Sequence, residues 1–197
     1  MSERDVELPF MLKHVKGPRV LDVGVDRCGY TDNLCNMGFM VHGVDPAPPG
    51  ECKYMMIFAH VPETEKYDSI LLVSSIEHFC ATTENLDTCG YDIETISKAI
   101  RMLNANGRII ITVPFGESYL HNYEASPSPS RDFIHYSLEK LRYIMEKCGV
   151  VPVIEEISRV FEKKWSTVES APDARYGGHG ADNAEAVYMG VWEKRIE

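Results

Sequence analysis

Hydrophobic and polar positions along the chain alternate between two regimes. Arg19–Val23, Met40–Val44, Ser69–Ser74 and Arg108–Val113 are apolar at most positions and read as strands. A strand that is apolar throughout, rather than at every second residue, is what a parallel sheet covered on both faces requires. Between such runs apolar residues fall at helical spacing, at Ile93, Ile96, Ala99, Ile100 and Leu103 and again at Leu138, Leu141, Ile144 and Met145. Asp92 and Ser137 stand where caps are needed, and Asn104–Gly107 and Gly149 supply the stops. A third strand is expected at Lys53–Phe58, a sixth at about 152–161 and a seventh at about 186–193. The last two have no helix between them, which predicts an antiparallel pair at one edge.

Strands alternating with helices predict an α/β fold: a Rossmann-like, doubly wound, seven-stranded sheet, mostly parallel with an antiparallel edge strand and helices on both faces. Residues 1–197 are expected to form a single domain. Residues 1–18 read as a short extension with one helical turn around Phe10–Leu12 before Gly17-Pro18, and 75–91 as a loop or broken helix. Two long polar stretches, 115–135 and 166–183, are expected at the rim of a site, since loops of that length in a compact domain usually carry function.

Arg19 to Pro46 then stands out as strand, glycine turn, helix and strand closing on an acid. Gly24 ends the first strand, Gly29 and Tyr30 open the helix, and Asp45 follows the second strand, 23 positions after Asp22. That offset is near the ~20 residues of an adenosine-binding unit. A dinucleotide would need bare glycine where Asp26 stands, because its diphosphate lies against the backbone of the turn. A carboxylate there repels such a ligand and suits a cationic one.

Composition narrows the partners. A formal net charge of −10 over 197 residues argues against a phosphate-backbone partner. The six cysteines form no C-x-x-C pair, the first ten residues are polar and acidic, and no run approaches the ~18 apolar residues of a membrane span. A cytoplasmic, reducing setting without membrane insertion is therefore expected, with no metal assigned and the oligomeric state open.

Four segments together carry a resemblance. Val20-Leu21-Asp22-Val23-Gly24, Val44-Asp45, Tyr67–Ile70 with Ser74-Ser75-Ile76-Glu77-His78, and Asn106–Pro114 resemble, in order and spacing, the motifs of class I S-adenosylmethionine-dependent methyltransferases. The resemblance implies S-adenosylmethionine as cofactor, with Asp45 holding the ribose hydroxyls. It implies contacts from Asp22, Gly24, Asp26, Gly29, Tyr30, Pro46, Ser74 and Ser75, and adenine packing against Phe58. The turn is one residue longer and poorer in glycine than the family's, and Ile57-Phe58 stands where an acid commonly meets adenine.

His78, just past a strand end, is the candidate base, with Glu77 beside it and His121 as a further catalytic candidate. Tyr119, Tyr123, Arg131 and His135 are candidates for holding the acceptor, and Tyr176, His179 and Asp182 could join the rim. The Glu77-His78 pair also resembles one that binds a divalent metal in some O-methyltransferases, but Ser74 replaces an upstream acid. The Ser75–His78 motif with Tyr91-Asp92 beyond it is similar to methyltransferase-like proteins of cell-surface glycan synthesis, which implies a sugar or small-metabolite hydroxyl as acceptor. A catalytically silent binding protein on the same fold stays open as the second reading.

Overall fold

In the computed structural model the described residues are 2–25, 29–48, 50, 52–79, 90–117, 119–121 (backbone alone), 133–177, 179, 181 and 183–195. The helix α1 (Arg4–His14) comes first, then β1 (Arg19–Val23), α2 (Tyr30–Asn36), β2 (Met40–Val44), β3 (Tyr67–Val73), α3 (Tyr91–Met102) and β4 (Leu103–Pro114). They are followed by β5 (Tyr119–His121), β6 (Phe133–His135), α4 (Leu138–Cys148), β7 (Val150–Phe161), β8 (Lys164–Val168) and β9 (Ala186–Lys194).

Seven strands form one sheet in the order β2-β1-β3-β4-β9-β7-β8, and β5 and β6 make a separate ribbon. On one face α1 and α2 bury Phe10, Met11, Tyr30 and Leu34 against Leu71, Val73 and Ile110. On the other, α3 and α4 bury Ile96, Ala99, Met102, Leu141, Ile144 and Met145 against Ile70, Leu72 and Ile109. The continuous apolar runs are thus covered twice, as their pattern requires. Ser137 caps α4 by accepting from the Lys140 amide at 3.2 Å, and Gly149 closes it in the left-handed region.

Four expectations are corrected. The sheet is parallel through β2, β1, β3 and β4 but antiparallel at β4–β9, β9–β7 and β7–β8, so it is evenly mixed, and its antiparallel part is three strands wide. The strand expected at Lys53–Phe58 is one bridge, Val44 to Tyr54, followed by a 3₁₀ turn at Phe58–His60. There the Lys98 ammonium donates to the Ala59 and Val61 carbonyls at 2.7 and 2.6 Å, so a side chain rather than a neighbouring strand meets the acceptors of the turn. The sheet keeps seven members because an unexpected strand, β8, replaces the one expected at Lys53–Phe58, reached through Glu162 and Lys163, both at positive φ (47° and 61°), the conformation of a tight hairpin turn, while the strand expected at about 186–193 is present as β9. The opening segment forms a full helix, α1, despite Pro9 inside it. No helix among the described residues is long and apolar enough to cross a membrane.

Candidate active site

The carboxyl ends of β1, β2, β3 and β4 open on the same side of the sheet, and β1 and β3 pair directly. Right-handed crossovers in opposite directions from β1 leave a crevice there. Gly24 leaves β1 at φ +88°, its amide donating to the Val44 carbonyl at 2.8 Å. A Cβ on it would sit 2.7 Å from the Ser75 Cβ, so the turn after β1 lies against the turn after β3 with no room for a side chain.

Asp22 is fully buried, and its two oxygens accept from the Tyr30 and Thr31 hydroxyls, each at 2.7 Å. It therefore ties α2 to β1, with Tyr30 buried as its partner. Gly29 opens α2 in the left-handed region. At the end of β2, Asp45 is half-buried and accepts from the Ala47 amide through Oδ1 at 2.7 Å, with Pro46 exposed in the bend between them. Phe58 lies in the core under the Lys98 ammonium, 5.2 Å from its ring centroid. Asp26, Tyr123, Arg131 and Asp182 fall outside the described residues, and Tyr119 and His121 are described by their pairing alone, opposite His135 and Phe133.

Past β3 the chain turns sharply. Ser74 sits at φ +44°, its amide donating to the Thr112 carbonyl and hydroxyl at 3.0 and 3.1 Å, and its hydroxyl donating to Glu7 Oε1 at 2.6 Å. Thr112 donates to the same Glu7 oxygen at 2.7 Å, and Arg4 to Glu7 Oε2 at 2.5 Å. One buried carboxylate thus fastens α1 across the ends of β3 and β4.

Ser75, Ile76 and Glu77 are buried while His78 is exposed. Ser75 Oγ and Glu77 Oε2 are buried with no hydrogen-bond partner among the described residues. Burial raises the Glu77 carboxyl well above the usual 4.5, opposed by its own backbone and reinforced by Glu7. That direction favours the neutral acid, which can donate, over the carboxylate. Tyr136 OH is likewise buried without a partner, and burial, with Asp92 and Glu77 nearby, raises it too.

Three loops meet at Phe133, which the sequence pattern did not single out. His78 lies edge-on to its ring at 6.2 Å, His135 stacks on it at 5.6 Å and Tyr176 leans on it at 5.3 Å. Three candidates drawn from separate stretches of sequence are thus neighbours. The segment after β4 is pressed against the 171–176 stretch: a Cβ on Gly116 (φ +152°) would lie 2.2 Å from the Ala174 carbonyl. His179 stands apart, its ring against Phe161. Glu7 and Glu3 were missed as well. Thr112 carried the available signal, a polar residue inside an apolar run that needs a buried partner. Among the described residues no group of three His, Cys, Asp or Glu could hold a metal ion.

No protein-family model and no curated protein matches the sequence. Solved structures do. The 1,6-didemethyltoxoflavin-N1-methyltransferase of Burkholderia thailandensis, solved with 1,6-didemethyltoxoflavin and S-adenosylhomocysteine, is 16% identical with a TM-score of 0.66, covering 98% of this chain and 78% of that one. A methyltransferase of Methanosarcina mazei, dependent on S-adenosylmethionine, is 11% identical with a TM-score of 0.64, covering 96% and 98%. The mitomycin 7-O-methyltransferase MmcR is 9% identical with a TM-score of 0.58, covering 97% and 54%. The chain has the class I S-adenosylmethionine-dependent methyltransferase fold.

Proposed function

We propose that this protein transfers a methyl group from S-adenosylmethionine to a hydroxyl of a small acceptor, a sugar or another metabolite. The observation that carries the reading is the crevice itself: a bare Gly24 against Ser75, with Asp45 at the neighbouring strand end. The fit can be judged on chemistry. S-adenosylmethionine is cationic at its sulfonium and amine, which suits a crevice with the Asp45 carboxyl at its edge. Asp45 would hold the ribose hydroxyls, and Ser75 Oγ and the backbone at Gly24 would meet the rest. When bound, the cofactor supplies a methyl carbon already activated by the sulfonium.

The chain's own part is positioning and proton removal. His78, exposed beside the crevice and set against Phe133, is the group placed to take a hydroxyl proton. Glu77, whose neutral acid form burial favours, is suited to donating a hydrogen bond. The neighbours act on different atoms, N1 in one named enzyme and 7-O in another, so the choice of oxygen rests on the glycan-related motif at Ser75–His78. The net charge of −10 keeps nucleic acid out of the reading. A silent binding protein is the second reading, favoured by the replacement of the third strand, beside which adenine would pack, with a single bridge.

Calorimetry with S-adenosylhomocysteine tests the first reading. The wild type should bind, and Asp45→Ala should bind about 10- to 100-fold more weakly, the loss of a charge-assisted hydrogen bond worth ~1.5–3 kcal/mol. No binding at millimolar ligand would refute cofactor use. Equal affinity in the variant would remove Asp45 from the site. Binding without turnover of any acceptor hydroxyl would favour the silent protein.

A further inference from the structure

The turn after β3 is held in a conformation that its own residue does not favour. Ser74 sits at φ +44°, between the end of the strand and the 3₁₀ turn Ile76–His78. For a residue with a side chain, the left-handed region is disfavoured by about tenfold against the right-handed one. Directly after this bend Ser75 meets the turn that leaves β1, where a Cβ on Gly24 would lie 2.7 Å from its own.

A ring of hydrogen bonds opposes the preference, and it closes on one carboxylate. The Ser74 amide donates to the Thr112 carbonyl and hydroxyl at 3.0 and 3.1 Å. The Thr112 hydroxyl donates to Glu7 Oε1 at 2.7 Å, and the Ser74 hydroxyl donates to the same oxygen at 2.6 Å. A hydroxyl has a single proton, so by taking that of Thr112 the carboxylate leaves the lone pairs of Thr112 facing the Ser74 amide. Without Glu7 the Thr112 hydroxyl is free to rotate and the Ser74 side chain loses its acceptor. The ring then opens on both sides of the bend.

Anchoring α1 does not require this arrangement. Phe10 and Met11 are buried in the apolar layer beneath the helix. Trp165 donates to the Ser2 carbonyl at 3.0 Å, Asn183 to the Glu3 carboxyl at 3.0 Å and Arg108 to the His14 carbonyl at 3.3 Å. The helix is thus moored at both ends and along its length, and an apolar residue at position 7 would add to that without burying a charge. An apolar residue could not receive Ser74 and Thr112.

We propose, resting on the methyl-transfer reading above, that Glu7 is a positioning residue for that reaction. It holds Ser74 in the left-handed conformer and thereby sets Ser75 and His78, which follow within the same turn, at the crevice. A cofactor met by Ser75 binds the held conformer, so Glu7 raises its apparent affinity in the ratio by which it raises that conformer's population.

Calorimetry with S-adenosylhomocysteine decides it, at a temperature where circular dichroism shows each variant folded. Glu7→Ala should bind about tenfold more weakly than the wild type, and Glu7→Gln, which keeps an acceptor oxygen, should recover most of the loss. Ser74→Ala and Ser74→Gly both remove the hydroxyl, but glycine adopts positive φ without steric conflict. Ser74→Gly should therefore bind about tenfold more tightly than Ser74→Ala, and this pair decides the matter should Glu7→Ala fail to fold. A purely structural anchor would lower the Tm of Glu7→Ala and leave the affinity of the folded protein unchanged. That result, or equal affinities in Ser74→Ala and Ser74→Gly, would overturn the proposal. Failure of S-adenosylhomocysteine to bind the wild type would instead strike the methyl-transfer reading. Amide exchange without ligand then shows whether Glu7 holds the turn: in Glu7→Ala the Ser74 amide should speed up at least about tenfold more than those of Leu71 and Ile110. An equal change at all three would overturn that as well.

Discussion

Replacing Glu7 by alanine removes the group that fastens α1 to the ends of β3 and β4, and the structure allows the loss to be estimated. The carboxylate is fully buried and accepts from the Ser74 and Thr112 hydroxyls at 2.6 and 2.7 Å and from Arg4 at 2.5 Å. Each hydrogen bond to a charged group contributes about 1.5–3 kcal/mol net, but the three share one acceptor and do not add. Arg4 is 20% exposed, so its guanidinium can turn to water and its share is discounted. Thr112 is fully buried and its hydroxyl would lose this acceptor. A net loss of about 3 kcal/mol follows, the lower end for removing one member of a buried charged pair.

In a domain of this size, about 2–4 °C per kcal/mol translates that into a fall in Tm of roughly 6–12 °C. Urea denaturation should show the midpoint falling with the slope unchanged, since the surface exposed on unfolding is nearly the same. A cycle with Thr112→Val should give a coupling of about 1 kcal/mol or more, because once Glu7 is gone that hydroxyl has already lost its acceptor and keeps the Ser74 amide bond alone. A loss below about 1 kcal/mol in Glu7→Ala, or strict additivity in the cycle, would refute the latch.

Two further outcomes follow from the same crevice. Burial raises the Glu77 carboxyl above its usual 4.5, so its stabilising share is fully present below that pH and is lost as pH climbs toward the folded-state value. Glu77→Gln should therefore gain on the wild type by up to about 1.4 kcal/mol per pH unit above 4.5, and urea midpoints that track each other between pH 4.5 and 7.5 would show that Glu77 is not buried as the acid. Gly24→Ala combines left-handed strain of about 1–2 kcal/mol with crowding of about 1–3 kcal/mol against Ser75. It should unfold about 2–5 kcal/mol more easily, and a loss below about 1 kcal/mol would mean that the two turns are not in contact.

How far the sequence discloses this molecule depends on the range of the interactions involved. β1, β2, β3, β4, α3 and α4 appear in the pattern because burial on two faces or along one stripe imposes a local period. Asp22, Gly24 and Asp45 are legible for the same reason, since strand ends and turns mark themselves in a few residues. Lys53–Phe58 misleads because the chain leaves the sheet after one bridge and turns at Phe58–His60, where the Ala59 and Val61 carbonyls are met by Lys98, on a helix about 40 positions later. The hairpin into β8 is invisible because Glu162 and Lys163 hold the positive φ usually left to asparagine and glycine. Glu7 and Phe133 escape for a third reason: their partners lie on other elements, and nothing in their own neighbourhood signals the contact. Thr112 could have been followed to a buried partner, but not to Glu7 in particular.

Glu7 and Glu77 make the closing comparison, two carboxyl groups buried at the same end of the sheet under opposite terms. Glu7 receives three donors, and the backbone strain at Ser74 is held in place by the bonds that converge on it. Glu77 keeps one oxygen without a partner among the described residues, and burial favours its neutral acid form. A carboxyl required only for architecture would be better replaced by an apolar residue of its size, since an orphan buried oxygen costs about 1–3 kcal/mol with no contact in return. The cost at Glu77 is intelligible if a ligand completes its hydrogen bonding, and strain and unmet polar groups in folded proteins do gather at such sites. Glu7 is the scaffold that allows Glu77 to remain incomplete.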